Sequence, residues 1–343
     1  MLGCSINLAE DLTANTHNYL LKMRNAGFEG VFTSLQAPEQ TPEQTLKGLR
    51  ELTKWCNDLG LGLVGDISKE GLKLLGMDAE ADSIQKLGLT GVRIDAGFNS
   101  EEIAKLSQVM PVALNASTIS ESDILDLRAE HANFDHLEAW HNYYPRPNTG
   151  LDRNWFIQKN TWLKKYGFKV MAFVPGDSNL RGPIFAGLPT LEEHRNKSTF
   201  YAALDLLELG VDLVYIGDND LSAASLEQFV EYLDGEKLLF HLREPIAKLS
   251  EHTWHQRADL SRDVIRLEEG RKLNLFQKLG KLAPRKRGCI TSDNERYLRY
   301  EGELEIIKTD LPADTRVDVI GQILERDMDL LELVKAGQTI EFK

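Results

Sequence analysis

The chain has 343 residues, of which 42% are hydrophobic and 27% charged, and its formal net charge is −13. That length exceeds one ordinary core and fits a large domain with a small one, while the acidity excludes the basic stripe that nucleic-acid backbones demand. Three scattered cysteines without CxxC spacing exclude a disulfide framework and a zinc knuckle, and no run of about eighteen apolar residues is available to cross a membrane.

Met1-Leu-Gly-Cys4 superficially matches a lipoprotein cleavage box, but no basic or apolar leader precedes Cys4, which reads as a core residue of an apolar strand. From there to residue 235 short apolar runs alternate with amphipathic segments. Strands are expected at Gly3 to Leu8, Gly30 to Ser34, Gly62 to Ile67, Gly91 to Asp95, Val112 to Ala116, His136 to Asn142, Val170 to Val174 and Leu213 to Gly217. Helices are expected at Thr16 to Ala26, Pro42 to Leu59, Ala79 to Leu87, Glu101 to Gln108, Glu121 to Ala129, Arg153 to Tyr166 and Leu191 to Leu209. Gly27, Gly60, Gly88, Gly167 and Gly210 follow helix ends, where a left-handed cap is expected. Eight β/α repetitions favour a TIM (β/α)8 barrel over a doubly wound open sheet, so residues 1–235 are read as a TIM-barrel catalytic domain.

Strand alternation assigns the faces. Ser5, Asn7, Arg93, Asp95, Glu138 and Asn142 are expected to point into the barrel, and Cys4, Ile6, Val92, Ile94, Leu137 and Ala139 toward the helices. Nearly every strand finishes in a polar residue: Asn7, Ser34, Asp66, Asp95, Asn115, Asn142, Asp177 and Asp218. The C-terminal rim is where barrel enzymes keep their chemistry, although a rim aspartate serves equally well to cap the next helix.

The sixth strand runs into the densest chemistry of the chain, His141-Asn-Tyr-Tyr-Pro-Arg-Pro147. Pro145 and Pro147 stiffen the loop, and His141, Asn142, Tyr143 and Arg146 suit a polar, ring-shaped, anionic ligand; a packed structural loop is the competing reading. Arg146, Arg181, His194 and Arg195 fall after the sixth and seventh strands, where barrels often hold phosphate. His194 fits a solvated helix face with Glu192 and Glu193 better, and Arg195 fits either.

Three motifs are decoys. Gly60-Leu-Gly-Leu-Val-Gly65 satisfies the dinucleotide fingerprint but runs from helix into strand, the reverse of what a pyrophosphate needs. His131, His136 and His141 recur at a spacing that shares no face, and Asp218-Asn-Asp220 lacks the rest of a calcium loop, so no metal and no other cofactor is expected.

From Glu236 onward strands at Leu238 to Leu242, Asp263 to Leu267, Arg299 to Lys308 and Arg316 to Leu324 are punctuated by turns, which reads as a small β barrel or sandwich over residues 236–343. Arg285-Lys-Arg287 is a solvated turn. Asp293, Asn294, Arg296 and Tyr297 either complete the substrate pocket over the barrel mouth or belong to a domain that serves only assembly or stability.

With the strand ends aligned, the chain resembles the 6-phospho-N-acetylmuramidase (MupG) family of bacterial peptidoglycan recycling. The resemblance rests on Met1-Leu-Gly-Cys-Ser-Ile-Asn-Leu8, Phe32-Thr-Ser-Leu-Gln-Ala-Pro-Glu39, Leu114-Asn-Ala-Ser-Thr-Ile119, Leu137-Glu-Ala-Trp-His-Asn-Tyr-Tyr-Pro-Arg-Pro147, Phe173-Val-Pro-Gly-Asp177, Arg181-Gly-Pro183, Gly187-Leu-Pro-Thr-Leu-Glu192 and Asp293-Asn294. Departures are Trp140 for a smaller residue, Gln36 for a histidine, and Thr253-Trp-His-Gln256; they bear on substrate preference. The resemblance implies a cytoplasmic glycosidase that splits N-acetylmuramic acid 6-phosphate from N-acetylglucosamine, built as a TIM barrel followed by a cyclophilin-like domain. Its partner is then a phosphorylated amino-sugar disaccharide, with no nucleic acid and no membrane; the oligomeric state stays open.

Glycoside hydrolysis needs two carboxyl groups, one protonated and one not. Asp66, Asp95, Glu138 and Asp177 are the rim candidates, with Glu39 in the second βα loop as an outsider. Glu138 is the expected acid, because an inward position beside aromatics raises a carboxyl pKa. Asp95, above Arg93, is expected to stay ionised as nucleophile, base or electrostatic stabiliser, and participation by the substrate's own acetamido group is a third route. Asn7, Ser34, Asn115, His141, Asn142, Tyr143, Arg146, Arg181 and Arg195 are the expected substrate ligands. A sugar-phosphate isomerase or aldolase is the alternative enzyme, but no Schiff-base lysine or metal cluster stands at a strand end. A non-enzymatic sugar-phosphate binder has no need of several inward carboxylates.

Overall fold

A computed structural model describes residues 1–36, 40–276 and 282–343, which divide into two compact units, Met1–Leu226 and Glu227–Lys343. The first unit is a closed barrel of eight parallel strands in sequential order. They are β1 (Leu2–Ser5), β2 (Gly30–Ser34), β3 (Gly62–Ser68), β4 (Gly91–Ala96), β5 (Val112–Asn115), β6 (Leu137–Trp140), β7 (Lys169–Val174) and β8 (Leu213–Ile216). Helices α1 (Ala14–Asn25), α2 (Pro42–Leu59), α3 (Lys69–Leu74), α4 (Ala81–Gln85), α5 (Ser100–Val109), α6 (Glu121–Ala129), α7 (Arg153–Lys165) and α8 (Thr199–Glu208) alternate with them, and the unit boundary falls inside α9 (Ala223–Gly235).

Local chemistry explains most of these boundaries. Thr41 caps α2 by accepting from the Gln44 backbone N–H, Asn99 does the same for α5 and Asp152 for α7. The five helix-ending glycines all take positive φ, from 65° to 91°. One expected element is broken in two: in place of a helix from Leu191 to Leu209, a 3-10 turn (Glu192–His194) precedes α8. There Ser198 restarts the helix by accepting from the Tyr201 N–H, and buried His194 docks on Asp205 instead of facing solvent.

Inside the barrel Phe32, Ala113, Trp140, Met171, Phe173, Leu213 and Tyr215 form one buried cluster, with Val64 and Tyr143 against it. Tyr215 lies across two strands at once, since a Cβ at Gly30 would stand 2.0 Å from its hydroxyl and one at Gly3 2.3 Å from its ring. Only glycine admits that approach. The interior is a packed core, and chemistry is left to its ends.

The second unit has little helix beyond α9. It holds a three-stranded sheet of β9 (Leu238–Phe240), β10 (Trp254–His255) and β15 (Thr339–Phe342), and a four-stranded antiparallel sheet of β11 (Val264–Leu267), β12 (Cys289–Asp293), β13 (Leu304–Ile307) and β14 (Val317–Gln322). The strand expected from Arg299 is shorter, because Glu295–Tyr300 forms a 3-10 turn capped by Asn294. Among the described residues no helix is long and apolar enough to cross a membrane.

Candidate active site

Three neighbouring strands place Ser34, Asp66 and Arg93 side by side, since Ser34 pairs in register with Asp66 and Asp66 with Arg93. All three face the interior near the C-terminal rim. Arg93 is 4% exposed, and its Nη1 lies 2.5 Å from Asp66 Oδ1 and 3.5 Å from Asp95 Oδ1. Its Nη2 donates to Asn142 Oδ1, and Gln36 Nε2 donates to Asp95 Oδ2 at 3.1 Å. One guanidinium thus gathers two carboxyl groups and an amide from three strand ends. Burial pushes the Asp66 pKa upward, against the pull of Arg93 and a Ser34 hydrogen bond, and the Asp95 charge adds to the rise.

A second polar cluster stands on the sixth, seventh and first loops. Arg181 Nη1 donates to the Tyr143 hydroxyl at 2.9 Å and Nη2 to Asn7 Oδ1 at 3.4 Å, with the guanidinium over the Tyr143 ring. Tyr143 packs edge-on against Phe173 of the barrel core. The Arg181 loop is anchored from beneath by Asp218, fully buried, which accepts from the backbone N–H groups of Gly176, Arg181 and Leu188. Arg146 is exposed, and its guanidinium makes no hydrogen bond or ion pair among the described residues.

Several expected site residues have other work. Glu138 does point inward, but it is the second residue of β6 and pairs with Lys169, the first of β7, near the N-terminal end of the barrel. Trp140, 1% exposed, lies between it and the layer of Asn142, packs on Phe32 and Tyr215, and gives its indole N–H to Glu138 at 2.7 Å. Glu138, the expected acid, thus has its pKa raised by burial and its carboxyl group held by the Trp140 indole. Asp177, another expected rim carboxylate, accepts from the Ser222 N–H and the hydroxyls of Ser222 and Ser225 at the start of α9.

Arg195, expected as a phosphate ligand, is engaged within the protein. Its side chain is buried, and it donates to Glu192 and to the carbonyls of Tyr144, Arg146, Ala186 and Gly187, which engages every guanidinium nitrogen. Glu192 in turn accepts from the N–H groups of Asn148 and Gly150 and has its pKa pushed down to about 2, first by Arg195. This is a clamp on the loop after β6. Gly150 is required there, because a Cβ would stand 2.7 Å from the Glu192 backbone nitrogen.

His141 faces away from the mouth. It is fully buried, pairs with Asn160 of α7 at 2.7 Å and lies against Phe156; burial pushes its pKa down to about 4, so the ring is neutral. Asn115 turns back on its own loop and accepts from the Ser117 N–H. Asn7, Ser34, Asn142, Tyr143 and Arg181 remain at the mouth with Asp66 and Asp95. Glu39 lies outside the described residues. Sequence reasoning set Arg93 below Asp95 on the same face, but missed its contact with Asp66 across the strand pair and Gln36 as a partner of Asp95.

Among the described residues one group, Glu193, His194 and Asp205, brings three ligand atoms within 4.8 Å of one another. Arg153 already bonds both carboxylates, so the group reads as an ion-pair network rather than a cation site. In the second unit Asp293, Asn294 and Arg296 line a cavity of about 300 Å³, where burial pushes the Asp293 pKa up to about 7.

Residues 2–231 match the family profile described as 6-phospho-N-acetylmuramidase, N-terminal, and residues 239–343 the one described as 6-phospho-N-acetylmuramidase, C-terminal. A crystal structure of a conserved Enterococcus faecalis protein of unknown function is 40% identical, with a TM-score of 0.91 over 100% of this chain and 96% of that one. That of an uncharacterized B. cereus protein is 25% identical, with a TM-score of 0.75 over 100% and 99%. No curated protein matches the chain.

Proposed function

Because the chain belongs to the 6-phospho-N-acetylmuramidase family, we propose that its barrel mouth hydrolyses the bond between N-acetylmuramic acid 6-phosphate and N-acetylglucosamine, with Asp66 and Asp95 as the working carboxyl groups. The observation that carries this reading is the bridge of Arg93 between those two residues at the rim. A glycosidase needs two carboxyl groups in different protonation states, and burial raises the pKa of Asp66 beside the more exposed Asp95 side chain.

Arg181 is the phosphate ligand in this reading. It projects into the mouth from a loop anchored by Asp218, and its contacts to Tyr143 and Asn7 are neutral ones that a dianion can displace or share. Exposed Arg146 adds a second cation on the adjoining loop. Asn7, Ser34, Asn142 and Tyr143 supply donors and acceptors for sugar hydroxyl and amide groups. A phosphorylated wall disaccharide belongs to recycling in the cytoplasm, which is where we place the activity, and the second unit is read as a cyclophilin-like domain. Purified protein should cleave the phosphorylated disaccharide and leave the unphosphorylated one nearly untouched; equal turnover of both would refute the assignment.

A further inference from the structure

We propose that hydrolysis proceeds by double displacement, with Asp95 as the nucleophile, Asp66 as the acid and then the base, and retention of configuration at the anomeric carbon. This rests on the functional reading above and goes beyond it to the course of the reaction. The argument is spacing. Because Arg93 Nη1 stands 2.5 Å from Asp66 Oδ1 and 3.5 Å from Asp95 Oδ1, those two oxygens lie no more than the sum, 6.0 Å, apart. Inverting hydrolases separate their carboxyl groups by about 6.5–9.5 Å to seat a water against the sugar, whereas retaining ones hold them about 5–5.5 Å apart. For this pair of oxygens the ceiling accommodates the retaining spacing and lies short of the inverting one.

The spacing is built in. Arg93 comes from the middle of β4, its side chain is 5% exposed, and Asn142 holds its other nitrogen, so the bridge is anchored on both sides. Arg93 is thus a positioning residue. The roles follow from exposure: the Asp95 side chain is 43% exposed and open to a ligand, while that of Asp66 is 13% exposed and pressed into the barrel. In the first half an Asp95 oxygen bonds to the anomeric carbon as the bond to the leaving oxygen breaks, and that oxygen takes the Asp66 proton. In the second half Asp66 takes a proton from water, the water oxygen bonds to the anomeric carbon, and the ester bond breaks to return its electron pair to Asp95. One water is consumed, and both carboxyl groups end as they began.

The same geometry lets Asp66 change role. Its pKa is raised by burial and further by the Asp95 charge; forming the ester removes that charge, and the acid of the first half becomes a competent base for the second.

Proton NMR during the first minutes of phosphodisaccharide turnover reads the anomer released before mutarotation. Retention is expected, and inversion would overturn the proposal while leaving the function intact. Retention through the acetamido group is separated by two further measurements with an aryl 6-phospho-N-acetylmuraminide. Acid-quenched Asp66→Ala should carry the sugar phosphate as an ester on the peptide containing Asp95, and Asp95→Gly with azide should yield a glycosyl azide of inverted configuration. Retention with neither adduct nor inverted azide, from variants whose circular dichroism matches the wild type, would overturn the nucleophile assignment. Failure of the wild type to cleave the phosphodisaccharide at all would remove the functional reading, and this inference with it.

Discussion

Asp66 and Arg93 stand in register on adjacent strands, 2.5 Å apart, and the same arginine nitrogen reaches Asp95 on its own strand. Strand geometry explains the arrangement, since residues two apart on β4 share a face and in-register residues on neighbouring strands stand side by side. The barrel therefore delivers two carboxyl groups and their cation to one end with no contribution from a flexible loop.

Removing the cation should harm both stability and catalysis. Arg93→Ala removes the buried guanidinium that Asp66, Asp95 and Asn142 share, and loss of buried hydrogen bonds to a charged group costs about 1.5–3 kcal/mol. Urea unfolding should show a lowered midpoint. Arg93→Lys restores charge without the two-pronged reach to Asn142, and should recover stability better than kcat/KM. A variant with unchanged unfolding would show that the bridge is not formed in solution.

Asp66 should govern the alkaline side of the pH profile. Its pKa is raised, so the protonated acid persists to higher pH than an ordinary aspartic acid would allow. The alkaline limb of kcat/KM should lie above the normal aspartate range, and Asp66→Asn should abolish turnover of the disaccharide while sparing part of it on an aryl glycoside, whose leaving group needs little protonation. An alkaline limb unmoved in Asp66→Glu would assign it elsewhere.

Phosphate recognition is tested at Arg181. Truncating a desolvated charged partner costs about 2–5 kcal/mol, so Arg181→Ala should lower kcat/KM on the phosphorylated substrate by about 30-fold to several thousand-fold and narrow its advantage over the unphosphorylated one. Arg146→Ala, at an exposed side chain, should cost less. Arg195→Ala should show itself in thermal unfolding first, because it releases the clamp on the loop after β6.

The contrast among these residues shows what a sequence carries. Alternation placed Ser5, Arg93, Asp95, Glu138 and Asn142 on the inner face, because a two-residue period is local to the chain. Height along the barrel was not legible. β6 is entered from a 3-10 turn at Phe134–His136, and the stagger that sets Glu138 beside Lys169 rather than beside Asp66 belongs to the closed sheet. Partner choice was equally hidden. Asp177 meets Ser222 and Ser225, and Arg195 meets carbonyls of Tyr144 and Arg146, through chain separations no local pattern encodes. The helix-ending glycines were legible because their left-handed caps depend on adjacent residues alone.

Glu138 provides the sharpest test of the proposed site. Screened by Trp140, it should be dispensable for chemistry, so Glu138→Gln should keep kcat/KM within a few-fold on both the disaccharide and an aryl glycoside. Its influence should appear in stability. Burial raises its pKa, so the folded state holds this proton more tightly than the unfolded chain, and unfolding becomes easier as pH rises from the ordinary glutamate pKa through the folded value. Glutamine removes that penalty and still offers an oxygen to the Trp140 indole N–H. The variant should therefore match the wild type in Tm near pH 4, where both carry a neutral side chain, and exceed it near pH 7. Loss of disaccharide turnover with retained aryl turnover would restore Glu138 as the acid and require Trp140 to move during catalysis.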